Sequence, residues 1–120
     1  MNEHTRRSVA AVVGAISNNC SISSVYDYGK GQHFIFSGSV KNNSIAIYDH
    51  TEGCNIGGSG TSSGYSLYHY GNSNHISLTI KGNNFSGYDY DSRNHYSGHV
   101  SGRSISIYDY EHSLHFNYSV

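Results

Sequence analysis

A chain of 120 residues makes one domain or one array of small repeats, and its net charge of −1 argues against non-specific nucleic-acid binding, which needs a basic surface. With 36% hydrophobic and 12% charged residues, 12 Tyr, 14 Gly, no Pro and no Trp, the expected core is thin and largely one-sided. No run approaches the ~18–20 apolar residues of a membrane-spanning helix, so no membrane span is expected.

Residues 1–19 differ from all that follows. Val9, Val12, Val13 and Ile16 recur at i, i+3, i+4 and i+7, one stripe of an amphipathic α-helix. Asn2 or Thr5 can cap its start, and Asn18–Asn19 can stop it. The competing reading is a targeting peptide: Arg6-Arg7, a short apolar run from Val9 to Ile16, then Ala15-Ile16-Ser17 as a cleavage site. The run is at the short end for a signal, so the helix is preferred, with synthesis in the cytoplasm and a non-standard export route left open. Cys20 and Cys54 fall near opposite ends of the expected strand layer, about 20 Å apart at ~3.3 Å per residue. A disulfide needs Cα atoms about 4.4–6.8 Å apart, so two free thiols are expected.

From residue 20 to 120 the chain is one five-repeat domain. Tyr26, Tyr48, Tyr68, Tyr88 and Tyr108 mark five units of about 20 residues. The first interval is longer by two, which keeps every later side chain on its face; a one-residue insertion would invert them. Each unit holds two segments of period-two alternation. Ile105 and Ile107 oppose Ser104, Ser106 and Tyr108, and Ile76, Leu78 and Ile80 oppose His75, Ser77, Thr79 and Lys81. Asn42-Asn43, Gly82-Asn83-Asn84 and Gly102-Arg103 supply turns at one edge, and four-residue connections such as Gly29–Gln32 at the other. The expected fold is mainly β: an N-terminal helix, then about ten antiparallel strands in five hairpin repeats. Such a sheet, about 48 Å wide, cannot be covered by one helix, so it curls into a meander or barrel with the helix against its concave apolar side. Gly58, Gly87 and Gly98 lie on that apolar face, where a missing side chain permits close approach or a bend. The alternative is a β-solenoid, which would stack Asp89 on Asp109 as like charges.

The opposite face carries the candidate binding residues Tyr48, Tyr68, Tyr70, Tyr88, Tyr90, Tyr108 and Tyr110, with His75, His95 and His115 opening alternate strands. Across the connections His75 is expected to oppose Tyr70, His95 Tyr90 and His115 Tyr110. Such pairs stabilise a sheet by about 0.2–1 kcal/mol each, and Tyr, Ser, Gly and Asn are also the residues of adaptable binding surfaces. Asp27, Asp49, Asp89 and Asp109 stand where strands enter their connections, as acceptors for loop amides in Asx-type turns. Four repeat-equivalent carboxylates do not make a catalytic centre, which needs unlike groups converging on one point, so no enzyme activity and no cofactor are expected. Successive strand-opening His are about 10 Å apart in a meander, too far to share a metal ion; His112, His115 and Glu111 are a weak local cluster, and no metal site is assigned.

In rhythm, the Tyr-Asp pairs resemble the YD-type repeats of Rhs-like shells, and the Gly/Tyr hairpins resemble MORN repeats. The Gly-Arg-Leu that follows Tyr-Asp in the former is absent after Tyr26-Asp27, Tyr88-Asp89 and Tyr108-Asp109, and no residue role is carried over. The functional expectation is a non-enzymatic β-repeat protein acting by self-association or by binding a partner surface, as a homo-oligomer or with a protein or glycan partner. The last strand ends in an apolar edge, Phe116, Tyr118 and Val120, with no Pro or Lys to block pairing, and Ser21 to Tyr28 is its complement. The alternative is a carbohydrate or small-ligand module using the Tyr/His/Ser face or a barrel interior.

Overall fold

A computed structural model describes residues 1–61 and 64–120. It contains one helix, α1 (Glu3–Asn18), and ten strands: β1 (Ser24–Asp27), β2 (Gln32–Lys41), β3 (Ser44–Asp49), β4 (Cys54–Thr61), β5 (Gly64–His69), β6 (Asn74–Lys81), β7 (Asn84–Asp89), β8 (Asn94–Ser101), β9 (Ser104–Asp109) and β10 (Leu114–Ser119). Each strand pairs antiparallel with the next, and β1 pairs with β10 through Tyr26–Ser119 and Asp27–Tyr118, closing a barrel. This is the helix-plus-ten-strand fold read from the repeats, in its closed form; the antiparallel ladders exclude the solenoid. The two extra residues of the first unit lie in β2, ten residues long where β4, β6 and β8 have eight. Being two, they leave the inward and outward faces unchanged.

Turn chemistry sets the hairpins. Asn42 and Asn43 are both left-handed, with φ 51° and 62°, as a type I′ turn requires. At the opposite mouth, four-residue loops join β1 to β2, β3 to β4, β5 to β6, β7 to β8 and β9 to β10. The first unit's loop is Tyr28–Gly31, one residue earlier than expected, and this shifts the aromatic register described below.

The helix does not lie on a concave face; it fills the lumen. Thr5 to Ala15 are buried without interruption, so α1 is enclosed all round rather than along one stripe. Asn2 starts it, and Asn19, at φ 49°, ends it with amide bonds back to Ala15 and Ile16 carbonyls. It lies against β1, β2, β3, β8 and β9. The core around it includes Ile56, Leu67, Ile76, Leu78, Phe85 and Tyr96. Inward glycines stand opposite large partners: Gly38 faces Ile47, Gly58 faces Leu67, Gly87 faces Leu78 and Tyr96, and Gly98 faces Phe85 and Ile107. Small against large lets a narrow lumen hold a helix without voids.

The apolar edge of β10 and its complement β1, free by sequence to pair within one chain or between chains, pair within the chain. Phe116 stacks under the Arg6 guanidinium, 3.7 Å from ring centroid to Cζ. Tyr118 is fully buried, with its hydroxyl accepting from Arg6 Nε. Val120 fills the space beside Gly14 of α1, where a Cβ would fall 2.6 Å from its methyl. Cys20 and Cys54 are free thiols. No helix among the described residues is long and apolar enough to cross a membrane.

Candidate functional site

Two sets of repeat-equivalent side chains collect at the mouth formed by the four-residue loops, one facing in and one facing out. The inward set is Asp27, Asp49, His69, Asp89 and Asp109, all buried. Each uses one atom to cap its own loop. Thr51 and Glu52 amides donate to Asp49 Oδ1, the Asp91 amide to Asp89 Oδ1, the Glu111 amide to Asp109 Oδ1, and the Asn72 amide to His69 Nδ1. The Asx-turn role read from the sequence is therefore correct. Burial and the neighbouring His4 ring hold the His69 imidazole below its ordinary pKa.

The remaining carboxylate oxygens divide in two. Asp109 Oδ2 accepts from Arg6 and from the Met1 ammonium, each at 2.9 Å, and Asp27 Oδ2 lies 3.5 Å from Arg7. Arg7 is itself seated over the Phe34 ring. Burial disfavours the Asp109 carboxylate, but the ammonium and Arg6 outweigh it and keep the carboxyl below its ordinary value. Asp49 Oδ2 and Asp89 Oδ2 are buried with no hydrogen-bond partner among the described residues. Arg6 and Arg7, which the competing targeting-peptide reading of this segment would make a basic head, are lumenal counter-ions on the preferred helix.

The outward set is aromatic. Tyr26, Tyr48, Tyr68, Tyr88 and Tyr108 are half-buried on the barrel wall. Their cross-strand partners are His33, Asn55, His75, His95 and His115. This corrects the expected register by two residues: His75 pairs with Tyr68 rather than Tyr70, His95 with Tyr88 rather than Tyr90, and His115 with Tyr108 rather than Tyr110. The pairs are edge-to-face at 4.7–4.8 Å. The reason is the loop position: Tyr28, Tyr70, Tyr90 and Tyr110 are the first residues of the four-residue connections, outside the ladders. Each leans on the tyrosine two residues earlier at 4.8–4.9 Å. Each also bonds by its amide to a carbonyl of the adjacent strand, Tyr70 to Asn55, Tyr90 to His75 and Tyr110 to His95. Fixed at both ends, these four rings still stand 52–60% exposed.

Between the rings run grooves floored by hydroxyls. One of about 540 Å³ is lined by Ser77, Ser86, Ser97, Tyr88, Arg93, Asn94 and His95, with Tyr110 as its wall. A second of about 490 Å³ is lined by Ser66, Ser73, Asn74, His75 and Ser77, with Tyr90 as its wall. At the seam, Tyr28 stands beside a smaller one, about 240 Å³, floored by Ser101, Ser104 and Ser106. The two larger grooves fall within the ~300–1,000 Å³ of small-ligand sites. Among the described outward strand positions, charged side chains stand at two places, Lys41 and Lys81, both at strand ends. Asp109, Glu111 and His112 offer ligand atoms within 4.8 Å of one another, whereas His115 faces Tyr108 and is not part of that group. The carboxylates of this group already hold the Met1 ammonium.

Comparison with family models, curated proteins and solved structures finds no match for this chain.

Proposed function

We propose that this protein is a non-enzymatic binding module whose outer Tyr/His/Ser face holds carbohydrate. The single observation that carries the proposal is the row of loop tyrosines, braced yet more than half exposed, three of which, Tyr28, Tyr90 and Tyr110, stand beside a hydroxyl-lined groove. A buried aromatic pair needs no such exposure to stabilise a sheet. An exposed phenol held in one orientation offers a flat apolar face with a polar tip and little conformational entropy left to lose on binding. Such a face stacks on the C–H surface of a pyranose while serine hydroxyls and the Asn74 and Asn94 amides meet its hydroxyls. The helix occupies the lumen and both strand edges are paired within the chain, which supports the outer face over the interior or the strand edges as the binding surface. The buried carboxylates serve as loop caps and ion-pair partners, which supports a binding role over catalysis.

A glycan array read with wild type, Tyr110→Ala and Tyr90→Ala tests this. Both rings are exposed, so the variants are expected to unfold at the wild-type urea midpoint while losing about tenfold in affinity for the glycans that wild type retains. Absence of any glycan above background, in a protein that elutes as an oligomer through the same face, replaces this reading with self-association.

A further inference from the structure

The two larger grooves are built from equivalent positions of neighbouring repeats. Asn74, His75 and Tyr90 in one correspond to Asn94, His95 and Tyr110 in the other. The Tyr110 groove reaches further into the wall, to Gly87 and Tyr96 where the preceding repeat has Leu67 and Ile76, and at the rim the two differ in charge: Ser73 in the first is Arg93 in the second. That position closes the four-residue loop in every unit, occupied by Gly31, Gly53, Ser73, Arg93 and Ser113, and its φ is 54–66° throughout. Left-handed backbone suits Gly and is uncommon for a long side chain. Arg93 therefore carries a local cost, and the guanidinium has no hydrogen bond or ion pair among the described residues to offset it. Glu111, which follows Tyr110, is turned to the barrel mouth and held by the Met1 ammonium, so it does not neutralise the groove. A residue that breaks a local rule without structural return is where a functional demand is expected.

We propose that the groove walled by Tyr110 selects a carboxylate-bearing pyranose, a uronic acid unit of a glycan, with Arg93 as the specificity-determining residue. The planar guanidinium matches a carboxylate with two parallel N–H donors, and the exposed Tyr110 ring takes the sugar face. The Tyr90 groove, with Ser73 in that place, is its neutral counterpart. This assignment rests on the carbohydrate role proposed above, and the experiment separates the two.

Trigalacturonate and its carboxyl-reduced counterpart are titrated into wild type, Arg93→Ser and Arg93→Lys. Ser is the residue of the equivalent loops, so the first variant is built to fold. Wild type is expected to bind the acidic trisaccharide about tenfold more tightly than the reduced one at low salt, with the preference shrinking at high salt. Arg93→Ser is expected to keep the affinity for the reduced sugar and lose the preference, and Arg93→Lys to retain part of it. Equal wild-type affinities for the two sugars, or a preference that survives in Arg93→Ser, overturns the uronate assignment while leaving carbohydrate binding in place. Failure of both sugars to bind overturns the assignment and counts against the carbohydrate role beneath it.

Discussion

Asp109→Asn is expected to destabilise the protein by about 3 kcal/mol or more, whereas the same substitution at the repeat-equivalent Asp49 leaves stability unchanged or raised. Both aspartates are fully buried, and both cap their loop through Oδ1, an acceptor that Asn keeps. The difference lies in Oδ2. That of Asp109 receives Arg6 and the Met1 ammonium, and removing its charge leaves two buried cations with Glu111 as the remaining counter-charge. That of Asp49 meets no partner among the described residues, so Asn in its place breaks no ion pair. A domain has about 5–15 kcal/mol in all, so the first loss brings it close to unfolding. Urea midpoints of the two variants measure the contrast. The same ion pair sets a pH dependence. The folded-state carboxyl of Asp109 is held below its unfolded value, about 3.9, so its contribution is full above that pH and is lost as pH falls through the lower folded value. The stability of Asp109→Asn is therefore expected to fall less steeply than that of wild type below about pH 4.

Gly58→Val is expected to cost about 4 kcal/mol, against about 1 kcal/mol for Gly82→Ala. Gly58 sits on the lumenal face of β4 at φ 143°, and a Cβ there falls 2.1 Å from the Ser66 carbonyl oxygen on the neighbouring strand. The clash is with backbone, which cannot rotate away, and a β-branched residue is also excluded from that φ. Gly82 has a positive φ of 60° in a hairpin turn, but nothing lies within 4 Å of its Cβ position, so only the backbone preference is lost. Thermal or urea unfolding of the two variants distinguishes a glycine needed for barrel packing from one needed only for a turn.

Much of this fold was legible because β-structure writes itself in parity. The 22-20-20-20 spacing of the marker tyrosines, with Ile and Leu on one face and Ser and Tyr on the other, is enough for ten antiparallel strands. It does not say whether the sheet closes, because closure depends on shear and lumen volume, which no local segment carries. The inward glycines are a signal without its key: parity puts Gly58, Gly87 and Gly98 on the apolar face, but their large partners become apparent only once the register is fixed. The pairing of the loop tyrosines is not legible to within two residues, because Tyr28-Gly29-Lys30-Gly31 and Gly29-Lys30-Gly31-Gln32 are equally good turns by composition. The lumenal place of Arg6 and Arg7 does not show in their own segment. The four inward aspartates were the clue: buried carboxylates call for cations, and two of them find theirs on the helix.

One chain uses up both of its own strand edges around its own helix. Cysteines introduced at the seam pair Tyr26→Cys and Ser119→Cys, with Cys20→Ser and Cys54→Ser removing the native thiols, test it directly. Oxidation is expected to give a disulfide within a chain of monomer mass, with unfolding shifted to higher urea. Disulfide-linked dimers or longer species as the main product would mean that β1 and β10 meet between chains, and the closed barrel would be wrong.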